Sequence, residues 1–305
     1  MKIALIGSVS SSWYALEALI CGGVEVTAVL GLDESRADKT SDYRSLRLLA
    51  DSGGIPFCSF IKVTEPSVEK FLQEHKPDMI WVIGLSQLVP DSLIKIAEHG
   101  AVGFHPTLLP EGRGRAPVAW TILKQARAAV NLFFLTNEPD AGDIIIQREI
   151  PVLPDDYSED LIHRTNLVLR EVVLELAPFI KSGKIPHHPQ DHSKATHYPK
   201  RTPADGLIDF SASTDSVYRL IRAAGRPYPG AFTWYRGRKL VIWRGRPAKP
   251  EDLLSRGQPG TILTVDRSRG ILVATTDGGI WITESQIESM QKLEELLDVG
   301  TQLGK

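Results

Sequence analysis

The chain has 305 residues, of which 42% are hydrophobic and 24% are charged, and its formal net charge is -2. These values are ordinary for a globular protein of one large or two smaller domains, and they exclude a disordered tail, a collagen-like chain and a coiled coil. The near balance of charge excludes a protein that wraps nucleic acid over its whole surface, although a local basic patch could still bind it.

The first part of the chain alternates short apolar runs with helical patterns, starting with an apolar run that ends at Gly7. The predicted strands are residues 3–6, 24–30, 55–57, 79–84, 101–104, 130–135 and 144–150, and the predicted helices are 13–20, 44–50, 68–74, 91–98, 118–125 and 158–181. Alternation of this kind predicts an α/β domain with a Rossmann-like, mostly parallel sheet and helices on both faces.

The composition changes after residue 183, where four prolines occur among four histidines. We therefore predict an α/β domain over residues 1–185, a linker over 186–206 and a second domain over 207–305. The second domain begins with a helix near 213–224 and continues with short β-type runs that have no helices between them. This pattern predicts a small C-terminal β-barrel of the OB-like type.

Cysteines and apolar runs predict the location of the protein. Cys21 and Cys58 are too few for a disulfide framework, which favours the cytoplasm. The N-terminal apolar stretch is too short for a secretory signal, and no run reaches the ~18–20 residues of a membrane-spanning helix. We expect a soluble cytoplasmic protein without a membrane partner.

A histidine and an aspartate are the first candidates for chemistry. His105 directly follows a predicted buried strand, and Asp140 lies in the turn between two further strands. If these strands are neighbours, the imidazole and the carboxylate face each other and can pass a proton. The alternative is a structural histidine and an unrelated turn aspartate, and spacing alone leaves both open.

The residues around these two form a longer motif. The pattern H-x-x-L-L-P-x-x-R-G-x-x-P starts at His105, and D-x-G-D starts at Asp140. With residues 200–209 and 227–232 of the second part, this pattern resembles the formyltransferases that use 10-formyltetrahydrofolate, over nearly the whole chain. The resemblance includes the members that formylate methionyl-tRNA and, more closely at residues 113–117, those that formylate a nucleotide-linked amino sugar.

The resemblance implies attack of a primary amine on the formyl carbon, with no metal. His105 is then implied to stabilise the oxyanion and to help in proton transfer, and Asp140 to hold the imidazole and relay the proton. One position departs from the family, because Gly103 stands where an asparagine usually donates its amide to the oxyanion. The chain could be a weakened member, transfer another group, or use another donor.

Asn131, within a predicted apolar strand, is the candidate for that substitute donor. A buried asparagine must find hydrogen-bond partners. The alternative is that backbone groups supply all of these partners.

Two segments correspond to the folate pocket of the family. The residues implied to bind the donor are Ser86, Gln87, Leu88 and Val89 on one wall and Asn137, Glu138 and Pro139 on the other. Leu88 and Val89 could enclose the pterin, whereas the alternative is a strand end packed as core.

The acceptor would meet polar side chains elsewhere. Arg113 and Arg115, in a glycine-rich loop, suit a phosphate or diphosphate, and Ser11 could offer its hydroxyl. The alternatives are a solvated loop and a helix cap.

Two further clusters are weaker candidates. Four histidines at 187, 188, 192 and 197 lack a recognised metal-ligand spacing, so we expect no metal. Arginine, lysine and aromatic residues interleave over 234–246 and could bind tRNA or a nucleotide, or simply form a solvated face.

The sequence therefore predicts an enzyme that moves a formyl group to the amine of a small substrate, a nucleotide-linked amino sugar. A methionyl-tRNA formyltransferase is the first alternative, and a non-catalytic ligand-binding protein is the second, because of Gly103. Which amine accepts the group and the oligomeric state stay open.

Overall fold

The computed structural model describes residues 1–255, 257–287 and 298–304. They form two compact units that interleave along the chain. The first unit comprises Met1–Pro117, Arg127–Pro151 and Ile162–Pro199, and the second comprises Val118–Ala126, Val152–Leu161 and the described residues from Lys200 onward. Residues 186–199 of the predicted linker belong to the first unit, and residues 200–206 belong to the second. The domain boundaries at 185 and 207 stay a prediction.

The strands of the described residues are, in chain order, β1 (Lys2–Gly7), β2 (Glu25–Leu32), β3 (Phe57–Phe60), β4 (Met79–Ile83), β5 (Ala101–His105), β6 (Arg113–Gly114), β7 (Ala128–Phe134), β8 (Ile144–Ile150), β9 (His197–Tyr198), β10 (Ala231–Tyr235), β11 (Arg238–Pro247), β12 (Ile262–Asp266), β13 (Gly270–Ala274) and β14 (Gly279–Ile287). The α-helices are α1 (Ser10–Cys21), α2 (Arg47–Ser52), α3 (Pro66–His75), α4 (Asp91–Ile94), α5 (Pro117–Lys124), α6 (Ser158–Ser182) and α7 (Thr214–Ala224). None of these helices is long and apolar enough to cross a membrane.

The first unit is built on a sheet with the strand order β3-β2-β1-β4-β5-β7-β8. The pairs from β3 to β5 are parallel, and β7 and β8 run antiparallel to their neighbours. The parallel strands are buried on both faces, which explains why residues 3–6 are continuously apolar and all have 0% exposure. The predicted mostly parallel α/β sheet is confirmed.

The order of the strands reverses between β1 and β4, and in open α/β sheets ligands bind at the carboxyl ends of strands around such a point. The segments that follow β1 and β4 lie close together at this point. Ser12 Oγ donates to the Ile83 carbonyl at 2.6 Å and accepts from the Ser8 amide at 3.0 Å. Gly84 has φ +62°, and a Cβ there would lie 2.5 Å from Ser11 Oγ, so only glycine permits this approach.

The second unit contains an antiparallel sheet with the order β10-β11-β14-β13-β12 within the described residues. Its apolar face packs with α7, which contributes Val217 and Ile221 to one core cluster. An all-antiparallel second part of five strands agrees with the prediction of a small OB-like C-terminal domain.

Candidate active site

His105 is the last residue of β5 and is 5% exposed. Its Nε2 lies 2.8 Å from the carbonyl oxygen of Gly112. Because a carbonyl oxygen only accepts hydrogen bonds, Nε2 carries the ring hydrogen and Nδ1 is left as an acceptor. The fold therefore presents the basic nitrogen of His105 away from Gly112.

The structure brings Asp140 to that nitrogen. Asp140 Oδ2 lies 3.7 Å from His105 Nδ1 and accepts a hydrogen bond of 2.8 Å from the Gly114 amide. A proton on Nδ1 would lie between the ring and the carboxylate, where the two charges attract each other. The arrangement can thus take up a proton and hold it.

The route by which the chain reaches Asp140 could not be read from strand spacing. Because β7 runs antiparallel to β5, the loop that follows β7 begins at the other end of β5, where the Leu135 amide donates to Ala101. The loop folds back to His105, with Asp140 in the left-handed region at φ 56°. A Cβ at Gly142 would lie 1.8 Å from the Phe134 carbonyl oxygen, which explains the glycine of D-x-G-D.

Asn131 lies directly opposite His105 in the β5–β7 pairing and is fully buried. Its amide nitrogen donates to the His105 carbonyl at 2.7 Å and to the Thr107 carbonyl, and its oxygen accepts from Gln147 Nε2 at 2.6 Å. Both N–H groups are therefore used inside the protein. The hypothesis that Asn131 donates to the oxyanion finds no free N–H in this structure.

Apolar side chains fill the space beside Gly103. A Cβ at this position would lie 2.6 Å from Leu135 Cδ2 and 2.9 Å from Phe133 Cζ. An asparagine side chain could enter only if these two residues moved. The side chains of Leu135 and Phe133 thus fill the space that an asparagine at position 103 would need.

Arg113 is 1% exposed. Its Nη1 donates to Glu138 at 2.9 Å, and its Nη2 lies 2.8 Å from Gln190 Oε1 and 3.0 Å from His192 Nδ1. Contrary to the expectation from the sequence, the guanidinium has no exposed face with which to meet a substrate phosphate. It joins three segments of the first unit instead.

Arg115 and Ser11, the other two residues predicted to bind the acceptor, differ in exposure. Arg115 is exposed, and its backbone amide donates to Tyr198 at 3.0 Å, which fixes the base of the side chain. Ser11 is buried and its hydroxyl faces Gly84.

The predicted donor-binding segments lie near each other. Leu88 is 84% exposed, Ser86 is also exposed, and Val89 packs against the core. Gln87 accepts from the Val63 amide at 2.8 Å and donates to the Ile61 carbonyl at 2.9 Å, so its side chain holds a neighbouring loop.

The facing segment is exposed over Asn137, Glu138 and Pro139. With its amide nitrogen turned toward Asp91, Asn137 donates to that carboxylate at 2.8 Å, which links this segment to the helix that follows Leu88. Glu138 is held by Arg113.

Two weaker clusters are now located. In the part of the chain that the structure describes, no group of three or more His, Cys, Asp or Glu could hold a metal ion. In the basic stretch of the second unit, Arg236 pairs with Asp298 at 2.7 Å, Arg244 with Glu159, and Arg246 with Asp252 at 3.6 Å. Carboxylates therefore offset much of its positive charge.

Sequence reasoning missed Gln190 and Thr196, which lie in the segment predicted as a linker. Gln190 Nε2 donates to the carbonyls of Asp140 and Gly142 at 2.9 and 2.7 Å. Thr196 Oγ1 accepts from the Gly112 amide at 2.8 Å. No periodicity signals such residues, because each acts as an isolated side chain on a distant backbone.

Comparisons with known proteins agree on one family. The chain matches the model of "Formyl transferase" over residues 39–175 and that of "Formyl transferase, C-terminal domain" over residues 200–297. It is 31% identical to the methionyl-tRNA formyltransferase of Geotalea uraniireducens (strain Rf4) over 297 residues, covering 96% of this chain and 92% of the relative.

Solved structures show the same fold at low sequence identity. HypX from Aquifex aeolicus in complex with tetrahydrofolic acid aligns with a TM-score of 0.67 and 21% identity, over 95% of this chain and 44% of that chain. WlaRD, a sugar 3N-formyl transferase solved with dTDP and 5-N-formyl-THF, aligns with a TM-score of 0.65 and 16% identity, over 95% of this chain and 99% of that chain.

Proposed function

Since the chain belongs to the formyl transferase family, we propose that it moves a formyl group from 10-formyltetrahydrofolate to the primary amine of a nucleotide-linked amino sugar. Transfer of a formyl group from a folate-type donor is the activity of the family. The acceptor is the finer part of the proposal. The observation that carries the chemistry is the pairing of His105 Nδ1 with Asp140 Oδ2 at 3.7 Å.

The two residues can move the proton that the amine loses. Bound 10-formyltetrahydrofolate would supply the formyl carbon: the amine nitrogen bonds to this carbon and loses a proton, the bond between the carbon and N10 breaks, and N10 takes up a proton as tetrahydrofolate leaves. His105 Nδ1 is free to accept it, because Nε2 is occupied by the Gly112 carbonyl. Asp140 then stabilises the charged ring, so His105 acts as the base and Asp140 as its partner.

The exposed segments next to Asp91, at the start of α4, suit a flat, partly apolar donor. Leu88 exposes 84% of its surface and so offers an apolar face for an aromatic ring. We propose that Leu88, with Ser86 and Val89 beside it, forms one wall of the donor site. Residues 137–139 form the other wall.

The charge distribution supports a small acceptor. Tight tRNA binding depends on lysines and arginines that are free to neutralise phosphates. In the second unit Arg236, Arg244 and Arg246 already face carboxylates. Arg115 is exposed and lies next to the backbone that holds Asp140, so we propose that it binds a phosphate of the nucleotide.

Methionyl-tRNA is the second candidate acceptor. It is favoured by the 31% identity to a methionyl-tRNA formyltransferase over 96% of this chain. The third hypothesis, a ligand-binding protein without turnover, is based on Gly103, where an amide donor is missing.

The presence of only free cysteines among the described residues supports our proposal of a cytoplasmic location.

A turnover assay distinguishes these hypotheses. The protein is incubated with 10-formyltetrahydrofolate and either nucleotide-linked amino sugars or charged initiator tRNA, and release of tetrahydrofolate and the formyl mass increment of the acceptor are measured. We expect product on an amino sugar, none with His105→Ala, and unchanged product with His163→Ala, an exposed histidine of α6.

Two other outcomes of this assay would support the alternative hypotheses. Product on the charged tRNA alone supports the second candidate. Saturable binding of folinic acid with no product on any acceptor supports the third.

A further inference from the structure

Residues 188–198, which we call the strap, lie outside the main sheet and contact the backbone of Asp140 and of Gly112, the residue whose carbonyl lies against His105. The strap begins where the His188 backbone pairs with Ile144, with N–O distances of 2.8 and 2.9 Å. It ends in β9, which pairs with β6 at Arg113 and Gly114. It is therefore fastened at both ends to the first unit.

Gln190 of the strap holds the loop that carries Asp140. It is 6% exposed, and its amide nitrogen donates to the carbonyls of Asp140 and Gly142 at 2.9 and 2.7 Å. Its oxygen accepts from Arg113 Nη2 at 2.8 Å. Because Asp140 has the left-handed φ of 56° and its loop returns from the far end of β5, this backbone needs such external support.

Thr196 of the strap supports the other member. Its hydroxyl oxygen accepts from the Gly112 amide at 2.8 Å, and the Gly112 carbonyl is the group that lies 2.8 Å from His105 Nε2. Thr196 thus holds the backbone of Gly112, the residue whose carbonyl selects the tautomer of His105.

We propose that Gln190 and Thr196 are positioning residues that hold Asp140 and His105 in their reactive geometry. This inference rests on the proposed function of that pair. A merely structural role is the competing explanation for Gln190, because its oxygen also satisfies the buried guanidinium of Arg113.

Two substitutions at Gln190 separate the roles. The carboxylate introduced by Gln190→Glu still accepts from Arg113 but cannot donate to the two carbonyls, whereas Gln190→Ala loses both functions. We expect Gln190→Glu to unfold at a higher temperature than Gln190→Ala, yet both to lose about 10–100-fold in kcat with little change in KM. Ser193→Ala, at an exposed strap residue, is the matched control and should keep wild-type kcat.

Thr196→Val removes the acceptor at nearly constant volume, and Thr196→Ser restores it. We expect the first to lower kcat by about 10-fold or more and the second to recover most of it. ¹⁵N NMR of the His105 ring should show the Nε2–H tautomer in the wild type and a mixture of tautomers in Thr196→Val.

A crystal structure of Gln190→Glu provides a readout that does not need turnover. We expect Asp140 Oδ2 to have moved from its 2.8 Å contact with the Gly114 amide. Wild-type kcat in Gln190→Glu, or an unmoved Asp140, would overturn the role of Gln190, and an unchanged tautomer in Thr196→Val would overturn that of Thr196. If the wild type transfers no formyl group while these geometric changes occur, the proposed function fails and the positioning inference holds.

Discussion

Replacement of Asn131 by alanine separates a structural brace from a donor to the reacting oxygen. The structure shows both N–H groups of Asn131 on the carbonyls of His105 and Thr107. Each buried carbonyl that loses its donor costs about 1–3 kcal/mol, so the two together should cost about 2–6 kcal/mol. This is a large part of the about 5–15 kcal/mol that stabilises a typical domain.

Urea denaturation followed by circular dichroism, without any ligand, measures this cost. The midpoint should fall strongly in Asn131→Ala, whereas stability should change by less than about 0.5 kcal/mol in Asn137→Ala, because Asn137 is exposed. The activity of the folded fraction is measured in parallel. If Asn131→Ala kept the wild-type midpoint and lost about 10²–10³-fold in kcat, Asn131 would be an oxyanion donor and our interpretation of its contacts would be refuted.

Three other positions lead to predictions of their own. Gly103→Ala should lower the free energy of unfolding by about 1–3 kcal/mol, because its Cβ would meet Leu135; a double-mutant cycle with Leu135→Ala should show strong coupling, and additive costs would contradict this. Burial raises the pKa of Asp42 in the folded state, so the charged carboxylate destabilises the folded state at pH 7. Asp42→Asn should therefore raise Tm at pH 7, and this gain should shrink as the pH falls below the folded-state pKa and vanish below the unfolded-state pKa. An unchanged Tm at pH 7 would contradict this. Arg115→Ala should raise KM for the nucleotide-linked acceptor by about 10-fold or more with little change in KM for the donor, and equal changes in both would exclude a phosphate contact.

The sequence alone determined the architecture, because burial leaves a local pattern. Strands buried on both faces need continuous apolar runs such as residues 3–6, and a long amphipathic helix needs a repeat of 3.6 residues. The predicted helix at 158–181 is observed as Ser158–Ser182 for this reason. The position of His105 at the end of a buried strand follows from the same local rule.

The contacts of the site were decided only by the tertiary structure. Arg113 and Gln190 are 77 positions apart, and nothing in the neighbourhood of either residue records the other. An exposed loop arginine and a buried one have the same sequence context, so the interpretation of Arg113 as a phosphate ligand could not be corrected before the fold was known.

The same distinction explains the strap and Asn131. A proline-rich segment predicts the absence of long helices, but it does not reveal that Gln190 and Thr196 reach the backbone around Asp140 and His105. Hydrophobic burial is encoded along the chain with the period of each element, whereas a single hydrogen bond depends on where two distant backbones meet. The sequence therefore determined the α/β framework and the candidate residues, and the tertiary structure decided which of their polar atoms are free to act.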